Sequence, residues 1–198
     1  MQKEELIHSL REKFPEKIVS AFQKVKRENF LPDHLKSYAY EDMALPLEEG
    51  STISQPKTIS FMLELLELKQ NQKILEIGSG SGYVLALLSE IIKNGKIYGM
   101  EIKKTLAINS KKLLEEDSNI EIFNRSGFDG LPEFAPFDRI LISASCKDMR
   151  VPYNLTEQLK DKGILVAPVR ESVFQIKKQN GKLTEKEFKG FAFVPLRE

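Results

Sequence analysis

The sequence predicts an α/β fold: a doubly wound, mostly parallel sheet with helices on both faces and a helical extension at the N-terminal end. Three observations carry that prediction. The first is the stretch Lys73 to Lys93, where an apolar run (Ile74, Leu75, Ile77) passes through alternate glycines, Gly78, Gly80 and Gly82. A helical pattern follows, with Leu85, Leu87, Leu88, Ile91 and Ile92. A doubly buried strand, a turn that accepts left-handed dihedrals and close ligand approach, and a helix together form a nucleotide cradle. The second is Glu101, which closes the next apolar run (KIYGM) at about 20 residues past the turn, the spacing at which an acid reaches ribose hydroxyls. The third is the alternation of strand-like and helix-like segments further on, which implies a parallel sheet with its ligand beyond the strands' carboxyl ends. That combination is Rossmann-like.

Taken in order, the first 30 residues or so read as two amphipathic helices. Leu6, Ile7, Leu10 and Phe14 make one apolar stripe, and Ile18, Val19, Phe22 and Val25 another. Pro15 suits the first turn of the second helix. His8 and His34 have no cysteine or acid at ligand spacing and read as surface or cap residues. Phe30 to Gly50 is a loop punctuated by proline, carrying Tyr38, Tyr40 and Asp42 in what reads as ordinary turn chemistry. The stretch STISQP (Ser51 to Pro56) then leads into a helix with Ile59, Met62, Leu63 and Leu66 at helical spacing. Two readings stand for it. One is a capped helix start, with Pro56 in the first turn and Ser54 close to the N-cap. The other is an anion pocket of hydroxyls and free N–H groups, fit for a substrate carboxylate.

Beyond Glu101, Thr105 to Glu116 reads as a helix, Ile120 to Phe123 as a strand and Asn124 to Pro136 as a loop rich in glycine and proline. Phe137 to Ser143 reads as a strand, Pro152 to Lys162 as a helix and Gly163 to Val169 as a strand. Val173 to Lys178 with Phe191 to Leu196 supplies an antiparallel closing pair, and the lysine-rich stretch Lys177 to Lys189 is expected to be a solvated hairpin. No internal repeat, low-complexity segment or linker stands out.

Composition sets the class. The 198 residues, 41% hydrophobic and 30% charged, fit one domain, with 1–70 as a substrate-side helical extension and 71–198 as the cofactor-binding core. Thirty basic and 29 acidic residues leave a net charge of +1, so neither nucleic acid nor membrane is an expected partner. The single cysteine, Cys146, fits a reducing compartment and reads as buried and inert. Met1 to Leu10 is charged, and no apolar run approaches membrane-spanning length, so the expected location is the cytoplasm and the expected state a monomer.

The form EIGSGSG (Glu76 to Gly82) resembles the first motif of S-adenosylmethionine-dependent methyltransferases more than a dinucleotide fingerprint. Several separated stretches sharpen this: ENFLP, YEDMALPLEEGSTISQPKTISFMLELLEL, KILEIGSGSGY, GLPEFAPFDRILISA, VPYNLTEQLKDKGILVAPV and the final FVPL. Together they resemble the protein-L-isoaspartate O-methyltransferases from Leu6 to Leu196, and the segment Tyr40 to Pro56 is the specific one. The resemblance implies methylation of the α-carboxylate of L-isoaspartyl residues in aged peptides and proteins by S-adenosyl-L-methionine, with S-adenosyl-L-homocysteine as product and no metal. It implies Ser54 as the active-site residue with Thr52 beside it, and Gln55 and Thr58 bordering cofactor and substrate. Glu76 would face the methionine ammonium, Gly78, Ser79 and Gly80 would line the methionine portion, Gly82 would be a further cofactor-binding residue, and Glu101 would take the ribose. Ser126 and Gly127 would reach the adenine, and Val194 to Arg197 would pass the substrate backbone. One departure stands out. The family usually has Gly-Asp-Gly where this chain has Arg125, Ser126 and Gly127, leaving a neutral hydroxyl, or Asp129 in the same loop, to accept the adenine amino group.

The chemistry so implied needs no general base, because a carboxyl group of pKa about 3.9 is already ionised near pH 7. Two other readings stay open from sequence: a methyltransferase for tRNA or a small molecule, and a homologue that binds cofactor or peptide without catalysis.

Overall fold

The computed structural model describes residues 2–144 and 151–193. Two short helices open the chain, α1 (Lys3–Arg11) and α2 (Glu16–Lys24), and they bury the expected stripes: Leu6, Ile7 and Leu10 on one, Ile18, Val19 and Phe22 on the other. Pro15 is the residue just before α2, at its N-cap. Two 3-10 turns follow (Arg27–Phe30 and Asp33–Tyr38), then a two-residue antiparallel bridge between β1 (Leu45–Pro46) and β2 (Thr52–Ile53). Helix α3 (Pro56–Leu65) starts on its proline, whose missing N–H costs nothing in a first turn.

The cradle segment folds as its pattern dictates: β3 (Lys73–Ile77), the glycine turn, α4 (Tyr83–Ile92), then β4 (Lys96–Met100). After α5 (Lys104–Leu113) and β5 (Ile120–Phe123), the chain crosses to β6 (Phe137–Ile142), then α6 (Tyr153–Glu157), β7 (Leu159–Val169), β8 (Ser172–Gln179) and β9 (Lys182–Lys189). The sheet order is β5-β4-β3-β6-β7-β8-β9, parallel through β7 and antiparallel for the last two strands. Strands leave β3 to one side (β4, β5) and return on the other (β6), so a topological switch point lies between β3 and β6. In a sheet of this kind the ligand crevice opens there, at the carboxyl ends.

Alternate residues send the core to both faces, as a period of two requires. Ile74, Leu141, Ile164 and Val166 join the cluster built by α1 to α4, where Phe22 meets Tyr83 edge-on at 6.0 Å. Leu75, Ile77, Ile140, Ile142, Leu165 and Ala167 join the other, with Tyr98, Phe137, Leu131 and Leu155.

Two boundaries differ from the sequence reading. The helix expected over 152–162 ends at Glu157, and β7 begins at Leu159 rather than Gly163. Leu159 is 2% exposed and pairs with Phe137, so burying it against the sheet outweighs continuing a short helix. An irregularity between Phe137 and Arg139 and a left-handed Lys162 (φ 62°) absorb the extra residues. The closing antiparallel partner of β8 is β9, the outer arm of the hairpin expected over Lys177 to Lys189; of the stretch Phe191 to Leu196 expected in that place, 194–196 lie outside the described residues. Asn180 and Gly181, both at positive φ, make the tight Asn-Gly turn that brings β9 back. Phe191 and Phe193 lie outside any strand and pack on the core, Phe191 stacked 5.2 Å from Phe61. Strand β9 is exposed along nearly its whole length and carries lysines and glutamates among its residues, which discourages pairing at the sheet's edge. Cys146 and Val194 to Arg197 lie outside the described residues. Among the described residues no helix is long and apolar enough to cross a membrane.

Candidate active site

The glycine turn hangs on the neighbouring strand. The amides of Gly78 and Ser79 both donate to the Met100 carbonyl, at 2.8 and 3.0 Å. Gly78 and Gly80 hold φ of 79° and 54°, a region that L side chains resist. From the end of β4, Glu101 accepts the Gly80 amide at 2.8 Å on one oxygen and the Lys103 amide at 2.9 Å on the other. Its carboxylate is 5% exposed, yet it lines a cavity with Gly78, Gly80, Ile102, Gly127 and Ser143. Lys103 ties the roof of that cavity down, donating to Ser51 Oγ at 2.6 Å and to the Glu49 carbonyl.

Glu76, in the middle of the sheet, is 1% exposed. One carboxyl oxygen accepts Ser143 Oγ at 2.6 Å, and among the described residues the other, Oε2, has no partner; nor has Ser79 Oγ. Burial pushes the Glu76 carboxyl up to about 8, the Ser143 hydrogen bond pulls it partly back, and the Glu101 charge adds to the rise. A buried acid with a bare oxygen is costly unless something fills the space beside it. Glu76, Ser79, Gly78 and Gly80 line one cleft together with Thr52, Ser54, Tyr83 and Ser143. A ligand bringing an ammonium group to this cleft would satisfy Oε2 and return Glu76 to its charged form, so the residues present fit an aminoacyl cation.

The facing wall is the segment Thr52 to Thr58, held by charged groups distant in sequence. Arg27, fully buried, donates to the Ser54 carbonyl at 3.0 Å and to the carbonyls of Ala39, Glu41 and Met43. Asp42 caps α3: it accepts the Lys57 amide at 3.0 Å and Gln55 Nε2 at 3.2 Å, and pairs with Lys57 Nζ at 3.0 Å. The expected anion pocket is therefore partly taken. A carboxylate from the protein itself occupies the first free amide of the helix, so the hydroxyls of Thr52 and Ser54, both half-buried, are what this wall offers the cleft. Outside them a wider groove runs past Gln55, Lys57, Thr58 and Phe61 to Phe191 and Phe193.

The residues singled out from sequence thus divide. Thr52, Ser54, Glu76, Gly78, Ser79 and Gly80 share one cleft, and Glu101 and Gly127 line the cavity adjoining it. Gln55 and Thr58 do not reach the glycine turn; they bond to each other at 3.3 Å and lie on the outer groove. Gly82 is not part of the cleft lining. It begins α4 at φ 85°, and a Cβ there would stand 2.9 Å from Leu114, so its smallness serves the packing of α4 on the end of α5. Ser126 is likewise outside the cavity lining, its Oγ accepting the Phe128 amide at 3.3 Å, and Asp129 is exposed. Gly127 makes the close approach in that loop, since a Cβ would stand 2.3 Å from Ile77. Sequence reasoning missed Ser143, Asp42, Arg27 and Lys103. Ser143 could have been found, because it follows directly on β6 at the switch point; the other three work through contacts that no local pattern records. Among the described residues no group of three or more His, Cys, Asp or Glu is placed to hold a metal.

Comparison with known proteins bears on all of this. A family model described as protein-L-isoaspartate(D-aspartate) O-methyltransferase matches residues 1–198. A protein-L-isoaspartate O-methyltransferase of Thermosipho melanesiensis is 40% identical over 186 residues, covering 90% of this chain and 93% of the relative. A solved structure of a protein-L-isoaspartate O-methyltransferase superposes with a TM-score of 0.90 at 28% identity, over 100% of this chain and 66% of that one. A beta-aspartate methyltransferase structure from Plasmodium falciparum, in complex with S-adenosyl-L-homocysteine, gives 0.86 at 22% identity over 100% of this chain and 99% of that one, a likeness of fold.

Proposed function

We propose a division of labour within a chain that belongs to the protein-L-isoaspartate O-methyltransferase family. It is an enzyme that methylates the α-carboxylate of L-isoaspartyl residues in damaged proteins, using S-adenosyl-L-methionine. The glycine-turn wall holds the cofactor and the Thr52–Thr58 wall orients the acceptor. A single observation carries this reading: Glu76 Oε2 and Ser79 Oγ, both buried and without a partner among the described residues, belong to residues that line the same cleft as Ser54.

When bound, S-adenosyl-L-methionine supplies a methyl group on a sulfonium, an electrophile with a neutral leaving group. Glu76 would hold the ammonium end and so be kept as a carboxylate. Glu101 would take the ribose while its oxygens keep the turn in shape. Gly78, Gly80 and Gly127 would let backbone come close, and the loop at Gly127 would border the adenine. The acceptor carboxyl, with a pKa of about 3.9, is ionised near pH 7, so no side chain has to remove a proton. Ser54 and Thr52 donate hydroxyl hydrogen bonds that aim the carboxylate. Ile53, Met62, Val84 and Phe193 along the cleft exclude water and strengthen those bonds. Positioning of this kind supplies several kcal/mol of an in-line transfer's barrier, on the order of 7–11 kcal/mol at best.

In this reading the whole chain works as one domain, 1–70 on the acceptor side and 71–198 on the cofactor side. It acts as a cytoplasmic monomer on isoaspartyl peptides and proteins and has no nucleic acid or membrane partner, as its balanced charge and single cysteine suggest. The test is Ser54→Ala: turnover of an isoaspartyl peptide falls about 10- to 100-fold while the calorimetric affinity for S-adenosyl-L-methionine stays the same. Equal loss of both would remove the assignment.

A further inference from the structure

Arg27 is an odd place for a charge. It sits in a four-residue 3-10 turn just after α2, is 0% exposed, and spends four hydrogen bonds on backbone carbonyls. A buried guanidinium is costly unless its donors are met, and here Ala39, Glu41, Met43 and Ser54 meet them while Nε has no partner among the described residues. Three of those carbonyls come from the loop before β1, and the fourth belongs to Ser54. The planar fork of donors therefore fixes Ser54's peptide relative to the loop, because a carbonyl that drifts leaves part of a charge bare. Arg27 also lies 6.0 Å from the ring centroid of Tyr83, which opens α4 directly after the glycine turn and lines the same cleft as Ser54. The one side chain stands between both walls of the site.

We propose that Arg27 is a positioning residue for methyl transfer: its guanidinium sets the bearing of the Ser54 hydroxyl by holding the Ser54 carbonyl against those of Ala39, Glu41 and Met43. This rests on the reading of Ser54 given above. Lysine keeps the charge but has three donors on one atom and cannot bridge the same four carbonyls. Arg27→Lys then leaves cofactor affinity within about twofold and lowers turnover of an isoaspartyl peptide about 10- to 100-fold, the scale on which small misplacements act.

A double-mutant cycle separates positioning from general loosening. Turnover is measured for the wild type, Arg27→Lys, Ser54→Ala and the double variant, each normalised to cofactor-binding sites counted by calorimetry. If Arg27 acts through Ser54, adding Arg27→Lys to Ser54→Ala lowers turnover by less than about threefold further, a small fraction of its effect alone. A full multiplication of the two losses overturns the proposal and leaves the Ser54 reading standing. Wild-type turnover in Ser54→Ala removes that reading and the proposal with it. Arg27→Gln is the second variant; if neither replacement yields protein that binds cofactor, Arg27 serves folding alone and the proposal is overturned.

Discussion

The two walls of the cleft are built by opposite means. On the cofactor side, β3, the glycine turn, Glu76 and Glu101 all lie in the one stretch from Lys73 to Glu101, and the turn's amides close on the adjacent strand. On the acceptor side, Thr52 to Thr58 is a short bridge and a helix start with little structure of its own. It is shaped by Arg27 across 27 residues and by Asp42 across 15. One wall is a local motif and the other is tertiary structure. The difference teaches that cofactor binding and acceptor orientation can be damaged separately.

The largest effect that separates them is expected at Glu76. Glu76→Gln keeps the shape and removes the charge proposed to hold the cofactor's ammonium, so the dissociation constant is expected to rise about 10- to 100-fold, the worth of a charge-assisted hydrogen bond. The same residue makes the wild type pH-sensitive. Its carboxyl is raised from 4.5 to about 8, so between those values the folded state holds a proton that the unfolded state has lost. Its contribution to stability is full below the unfolded pKa and is lost as pH rises through the folded one, at up to about 1.4 kcal/mol per unit. Thermal unfolding across pH 5 to 9 reads this, and Glu76→Gln flattens the slope. Cofactor binding near pH 7 releases about one proton, seen as a buffer-dependent enthalpy; an enthalpy identical in all buffers contradicts an ionising Glu76.

A purely steric break comes next. Gly127→Ala forces a Cβ to 2.3 Å from Ile77 Cγ2, costing about 1–3 kcal/mol, or about 2–4 °C of Tm for each kcal/mol in a chain this size. Smaller still is Asp42→Ala, which uncaps α3 at about 1 kcal/mol and lowers turnover a few-fold with cofactor affinity intact. A cofactor affinity that falls in step would erase the distinction between the walls. The smallest effect belongs to the Lys177–Glu67 pair, with side chains 42% and 50% exposed. Lys177→Ala shifts stability by less than about 1 kcal/mol and leaves kinetics unchanged.

The same contrast explains what was legible in the sequence. The strands β3 to β6, the glycine turn and α4 could be read because their apolar periods and glycine spacing are local. Leu159 was misplaced because a five-residue helix and the start of a strand look alike until Phe137 is there to pair with. The solvated hairpin expected over Lys177 to Lys189 is present and turns at Asn180-Gly181, but its outer arm is the strand that closes the sheet, a place the sequence reading gives to Phe191 to Leu196 because the charged pattern of Lys182 to Lys189 hides an edge strand. In the site, the glycines and acids of the cofactor wall could be named, but Gly82 proved to serve helix packing and Ser126 to turn inward on its own loop. Arg27 and Asp42 were illegible for a physical reason: each acts on backbone groups far along the chain, and a backbone carbonyl or amide leaves no mark in sequence.

The most direct measurement gives the protein methyl-labelled S-adenosyl-L-methionine and a peptide carrying an L-isoaspartyl residue, alongside its normal aspartyl twin. A cleft that aims one misplaced carboxylate puts base-labile label into the isoaspartyl peptide alone; equal labelling of the twins, or of neither, contradicts the account.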